Sequence, residues 1–241
     1  MGAALLKGSD HPKLQPKLQP KLRVGIIANA PTFDLGGVSA LFAESDLVIA
    51  TDGAANRLTK ELAPQVVCGD FDSIDQLAVR QLFPDAELVW NRCQESNDLE
   101  KCIELALKRG AGEIAISCAM GGRLDHTLTT LSLLERYQSE VQILLYEGDL
   151  CCRVISGAAS KAETIEMGVR NGDIVSLIPR GDGAQVSLSN VLWPLDCEFL
   201  RAGSRGVSNR ATADSVLLTV HEGVVFFLQG IAILPLSTLK S

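Results

Sequence analysis

An alternation that begins at Arg23 and stops near Gly148 decides the fold class of this chain. Short β-branched runs, RVGIIANA, DLVIATD and QVVCGD, alternate with stretches of helical spacing that begin at Ala54 and Ile74. EIAIS (113–117) and VQILLYE (141–147) then flank a further helix expected from about Leu124 to Tyr137. Apolar runs separated by helices are how parallel strands with crossover helices read, because the crossovers cover both faces of the sheet. Ser73 with Gln76, and Asn97 with Glu100, have the spacing of helix-capping boxes. Leu99, Cys102, Ile103 and Ala106 fall on one face of the helix that Asn97 opens, so that face packs on the sheet. After Gly148 the helical spacing ends. CCRVIS, ETIEM, DIVSLIP, AQVSL, SVLLTV and VVFFL follow, punctuated by Gly, Asn, Pro and Asp, as in an antiparallel sandwich or barrel. The expected architecture is α/β: an open, mostly parallel sheet in 23–148 followed by an all-β sandwich in 149–241. Residues 1–22 contain the repeat PKLQPKLQPKL and are expected to be an extended tail, since each proline removes a backbone donor and disfavours helix before it.

Composition excludes several classes. With 22 basic against 29 acidic side chains the 241-residue chain carries a formal charge of −7, and its 11 aromatics are too few for the basic, aromatic surface of a nucleic-acid binder. Seven cysteines without a CxxC pair, and three histidines at no ligand spacing to them, read as reduced thiols in a cytoplasmic protein rather than as disulfides or zinc ligands. Adjacent Cys151 and Cys152 read as buried small hydrophobes of a strand. The start of the chain has no signal-peptide pattern. The longest uncharged stretch, Gly223 to Leu239, is broken by Gln229 and Pro235 and is expected to form two buried strands rather than a membrane span.

Acidic residues sit where the expected strands end: Asp52 after VIAT, Asp70 and Asp72 in CGDFDS, and Asp98 after QESN. Carboxyl ends of strands are where open α/β sheets bind ligands. In extended backbone Asp70 and Asp72 share a face and suit one hard cation; the alternative is a turn closed by Gly69 and Ser73. No Lys or Arg occurs between 61 and 79, so a metal or a distant cation has to balance the two carboxylates. Asp98 fits either a ligand role or the first turn of a helix, where an acid complements the macrodipole. MGGRLDH (120–126) joins a strand to a helix through two glycines, which suits an anion at a helix N-terminus with Arg123 as a forked donor. Asp125 reads as a base, a partner of a substrate hydroxyl, or a helix cap. His126 reads as structural.

DGAANRL, CGDFDSI, QESNDLEKC and GGRLDHTL, in that order and followed by LWPL and GVSN, resemble thiamin pyrophosphokinase over nearly everything from Arg23 to Leu228. The resemblance implies an α/β catalytic domain and a β-sandwich domain in a homodimer whose site lies between subunits. It implies transfer of the diphosphate of ATP to the hydroxyl of thiamin, with Mg²⁺, giving thiamin diphosphate and AMP. On this sequence it makes Asp70, Asp72 and Asp98 the metal and phosphate site with Asp52 beside them, and points Lys101 and Arg123 at phosphate oxygens. It sets Gln94 and Asp125 near substrate, and Trp193, Ser208 and Asn209 toward thiamin, where an indole face suits the cationic thiazolium. Two positions depart from the family's pattern: Asn97 stands where threonine is usual, and Ala54 where glycine is common. The readings it competes with are a diphosphokinase of another small alcohol, such as a pterin, and a nucleotide sensor without catalysis.

Overall fold

The computed structural model describes residues 22–33, 39, 41, 44–158, 160, 162 and 164–230. The expected tail, apart from Leu22, and residues 231–239 of the uncharged C-terminal stretch lie outside them.

Six parallel strands form the first part of the sheet: β1 (Leu22–Ile27), β2 (Leu47–Thr51), β3 (Val66–Gly69), β4 (Glu87–Trp90), β5 (Ala111–Ser117) and β6 (Gln142–Glu147). They lie in the order β6-β5-β1-β2-β3-β4. The chain builds outward from β1 to β4 on one side and then returns to build β5 and β6 on the other, so a switch point falls between β1 and β5. Both faces are buried. One carries Leu99, Cys102, Ile103 and Ala106 of the Asp98–Lys108 helix with Leu133, Leu134 and Tyr137 of the Leu124–Tyr137 helix. The other carries Ala54, Ala55, Leu58, Val79 and Phe83. Each large aliphatic side chain buried this way, Ile103 among them, contributes about 2 kcal/mol.

The Leu124–Tyr137 helix has the expected bounds, and Asn97 caps the Asp98 helix by accepting the Glu100 N–H at 2.9 Å. Three local expectations need correction. The helix expected from Ala54 is one turn, Asp52–Ala55. The helix expected from Ile74 runs Gln76–Leu82, and its cap is Asp75, which accepts the Ala78 N–H at 3.0 Å. Ser73 is not that cap, because its hydroxyl is drawn to Asp52. Strand β4 was not expected at all: it is a four-residue edge strand with both ends exposed, too short to show a period.

At Gly148 and Asp149 a two-residue turn reverses the chain, and β7 (Leu150–Gly157) pairs antiparallel with β6. Hydrogen bonding thus continues from the parallel strands into β8 (Thr164–Gly168), β9 (Ile174–Pro179), β10 (Ala184–Ser189), β11 (Leu195–Leu200), β12 (Asn209–Arg210) and β13 (Ser215–Gly230). SVLLTV and VVFFL are not two strands. They are the halves of β13, which turns at Gly223 with φ +95°; the first half pairs with β8 and β10, the second with β7 and β9. Val216, Leu218 and Val220 from one half and Val225 and Phe227 from the other line a single core, so the bend folds the antiparallel region onto itself. Among the described residues no helix is long and apolar enough to cross a membrane.

Candidate active site

A cleft of about 460 Å³ opens at the carboxyl ends of β1, β2, β3 and β5. This is the crevice that a switch point creates in an open sheet, because neighbouring connections leave in opposite directions there. Asp52, the first residue after β2, forms its floor at 1% exposure. A buried carboxylate needs donors, and Asp52 has three: the Gly53 N–H at 2.5 Å, the Phe71 N–H at 2.9 Å and the Ser73 hydroxyl at 3.0 Å. Burial, with the charge of Asp98 added, still holds its pKa above the ordinary carboxylate range. Gly69 is required beside it, since a Cβ there would lie 2.7 Å from the Asp52 carboxyl carbon. Asp52 therefore ties the end of β2 to the loop after β3.

Asp70 leaves β3 at the start of that loop. Its carboxylate accepts the Asp72 N–H at 3.3 Å and the Gln94 amide at 3.3 Å, and stands 3.5 Å from the Lys101 ammonium. Burial alone would raise its pKa; the Asp72 N–H, Gln94 and Lys101 outweigh it and hold the group below the usual value. Lys101, only 3% exposed, also contacts Asp98 at 3.0 Å. Burial opposes its charge, but the two carboxylates raise its pKa. Lys101 is the distant cation that the 61–79 segment lacks, brought from the next helix.

Asp52, Asp70 and Asp98 each present a carboxylate oxygen, and these lie within 4.8 Å of one another. Asp72 is not in this group. The extended-backbone expectation fails at Phe71, whose φ of +64° turns the chain between the two aspartates and leaves Asp72 exposed. Three carboxylates with one ammonium, which touches only Asp70 and Asp98, are an excess of negative charge, and hard oxygens at this spacing fit a small divalent cation with ligand distances of about 2.1 Å.

On the opposite wall Gly121 and Gly122 take φ of +88° and +72° and lead into the Leu124–Tyr137 helix, with Arg123 at its N-cap. Arg123 forks onto Asp125, with Nε 3.1 Å from one carboxylate oxygen. That bond holds Asp125 below, and Arg123 above, their ordinary pKa values. Arg123 lines the cleft; Asp125, exposed, does not. His126, expected to be structural, lines the cleft as well. Sequence reading also missed Asn29, Ala30 and Pro31, held in part by Arg57, whose guanidinium donates to the Ala30 carbonyl at 2.6 Å. They directly follow β1, so the strand-end rule that found the aspartates reaches them too.

Trp193 and Asn209 lie elsewhere, in a depression of about 450 Å³ that shares no lining residue with the cleft. Asn209, 7% exposed, accepts the Trp193 N–H at 3.1 Å and donates to its carbonyl at 2.7 Å. The indole itself is 59% exposed. Ser208 precedes Asn209 at φ +62°, with its N–H on the Ser176 hydroxyl at 2.9 Å.

A family profile described as thiamin pyrophosphokinase, catalytic domain, matches residues 38–145, the span that contains the cleft's lining residues from Thr51 to Thr130. Thiamin pyrophosphokinase 1 of Caenorhabditis elegans is 26% identical over 194 residues, covering 75% of this chain and 78% of the worm protein. The thiamine pyrophosphokinase of Bacillus subtilis is 25% identical over 221 residues, covering 89% of this chain and 98% of the bacterial one. The chain belongs to the thiamin pyrophosphokinase family. Family structures share the fold across both halves: the Bacillus subtilis thiamine pyrophosphokinase superposes with a TM-score of 0.73 at 21% identity, covering 88% of this chain and all of the other. The yeast enzyme superposes with a TM-score of 0.72 at 16% identity, covering 89% of this chain and 87% of its own.

Proposed function

We propose that the acidic cleft is where this chain transfers the diphosphate of ATP to the hydroxyl of thiamin, releasing thiamin diphosphate and AMP. The observation that carries the reading is the trio Asp52, Asp70 and Asp98 around buried Lys101, set at a sheet switch point in a chain of this family. Mg²⁺ would be held by Asp70 and Asp98 with Asp52 beside them, while Asp72 lies on the same loop outside the trio. When bound, the ion neutralises charge on phosphate oxygens.

The chain's own groups do the rest by position, since phosphoryl transfer asks little covalent chemistry of a protein. Lys101 keeps the carboxylates in register and offers its ammonium to a phosphate oxygen. Arg123 does the same from the glycine wall, and Gln94 orients Asp70. The thiamin hydroxyl attacks the β-phosphorus in line, the bond to the α-phosphate oxygen breaks, and AMP leaves with that electron pair. Asp125 does not line the cleft; paired with Arg123 it steadies that guanidinium at the wall where the hydroxyl attacks, and the hydroxyl proton passes to solvent. Asn97 keeps the cap of the Asp98 helix and so the direction of Asp98.

Trp193, Ser208 and Asn209 serve thiamin, the indole face meeting the thiazolium cation. The depression lined by Trp193 and Asn209, with Ser208 next to it in sequence, is separate from the cleft of 23–148 within one chain, which supports a homodimer in which the cleft of one copy faces the depression of another. Seven thiols, five of them buried, support a reducing, cytoplasmic setting. Incubation of the purified protein with ATP, Mg²⁺ and thiamin, with products resolved by chromatography, is expected to yield AMP and thiamin diphosphate together. ADP with thiamin monophosphate, or nucleotide binding without turnover, overturns the assignment.

A further inference from the structure

Trp90 ends the edge strand β4 and is 56% exposed, so it is not there to fill a core. Its contacts point to another task. The indole N–H donates to the Asp70 carbonyl at 2.8 Å, and the ring stacks on Phe71 at 6.5 Å between centroids and 6° between planes. The Arg92 guanidinium lies over the indole at 3.7 Å. One residue on, the Asn91 N–H donates to the Gly69 carbonyl at 2.8 Å. Two successive carbonyls of the loop, Gly69 and Asp70, are therefore gripped from the end of β4. Phe71 has φ +64°, a conformation that a non-glycine residue keeps only when its surroundings fix it. The indole supplies a bond to the peptide before that kink and a face for the kinked residue's ring.

We propose that Trp90 is a positioning residue for the Asp70 carboxylate: by holding the 70–71 peptide and the Phe71 ring it fixes the turn that sends Asp70 toward Lys101 and Asp98 and turns Asp72 away. The inference rests on the reading of Asp70 as a metal ligand. Groups behind a ligand set metal affinity by orienting it, typically by tenfold or more.

Mg²⁺ is titrated by calorimetry into the full chain saturated with α,β-methylene-ATP, an analogue that cannot release AMP. Trp90→Phe, which keeps a ring and loses the donor, is expected to bind Mg²⁺ about tenfold more weakly, with the KM for thiamin unchanged in the active assay. Trp90 and Trp193 are the only tryptophans, so in Trp193→Phe, used here for fluorescence alone, the emission reports Trp90. Mg²⁺ is expected to shift that emission, and Asp70→Asn in the same background to abolish the shift. Parent-like Mg²⁺ affinity in Trp90→Phe, an equal change in thiamin KM, or emission unmoved by Mg²⁺ in a protein that binds it overturns the proposal and leaves the metal reading standing. No Mg²⁺ binding by the parent overturns both. Should Trp90→Phe fail to fold, the fluorescence arm decides alone.

Discussion

In the acidic cleft every charged group is tied to a neighbour: Asp52 has three donors, Asp70 has Gln94 and Lys101, and Lys101 is shared with Asp98. At the Trp193 depression the indole is uncharged, more than half exposed, and gripped through its backbone by Asn209, and the one charged lining residue, Arg205, is paired with Glu198. The contrast follows from what each place has to hold. Carboxylates brought together in a partly dry cleft repel unless their dipoles and counter-charges are arranged beforehand, and that arrangement is also what a transferring phosphate needs. An indole that meets an organic cation needs only its face available and its loop steady. Preorganisation is therefore concentrated in the parallel half, and adaptable surface in the antiparallel half.

The sharpest way to break this comparison is to remove one charge from the cleft. Asp70→Asn is expected to lower kcat by about 10³ while circular dichroism and Tm stay near those of the parent, because the side chain keeps its shape and loses the ligand. Asp72→Asn, on the same loop but outside the carboxylate trio, is expected to lower kcat by about tenfold with folding intact. Equal losses in the two variants would mean that the Phe71 turn rearranges when ligands bind.

The antiparallel half should answer in a different kinetic constant. Trp193→Ala is expected to raise the KM for thiamin by about tenfold, the worth of a partly desolvated cation–π contact, with the Mg²⁺ dependence unmoved. Asn209→Ala removes two hydrogen bonds from the Trp193 backbone and is expected to cost about 1–3 kcal/mol in denaturant unfolding, with a KM effect in the same direction as Trp193→Ala. Normal stability in Asn209→Ala would show that the Trp193 loop is held by other contacts.

How legible each half was in the sequence follows the same division. The parallel strands and the Leu124–Tyr137 helix could be read because burial on both faces gives long apolar runs and a clear helical period. The aspartates could be read because strand ends gather ligands whatever the sequence between them. Illegible features depended on a partner remote in sequence. Ser73 looks like a cap until Asp52 is known to lie 3.0 Å from its hydroxyl. Asp70 and Asp72 look like a pair until Phe71 is seen at φ +64°. Gly223 looks like the break between two strands, but the chain bends there without leaving the sheet. Strand β4 shows no alternation because it is short and lies at an edge, so its register comes only from β3.

The smallest effect concerns how much of the cleft's order is electrostatic. Asp70 is held below the ordinary carboxylate pKa: burial opposes this, and the Asp72 N–H, Gln94 and Lys101 overcome it. A folded-state pKa below the unfolded one adds stability that is fully present above the unfolded value, near 4, and is lost as pH falls through the folded value. Gln94→Ala removes one of the three opposing contacts, so the lowered pKa should move back toward that of the unfolded chain. In metal-free protein the variant is therefore expected to be less stable than the parent by under about 1 kcal/mol at pH 6, a partly exposed contact being screened by solvent. The difference should shrink as pH falls through 4 and vanish once Asp70 is protonated in both states. Unfolding of parent and variant across pH 3 to 7 checks this. A gap that stays constant over the whole range would assign Gln94 a packing role and leave Lys101 and the Asp72 N–H to hold Asp70 in place.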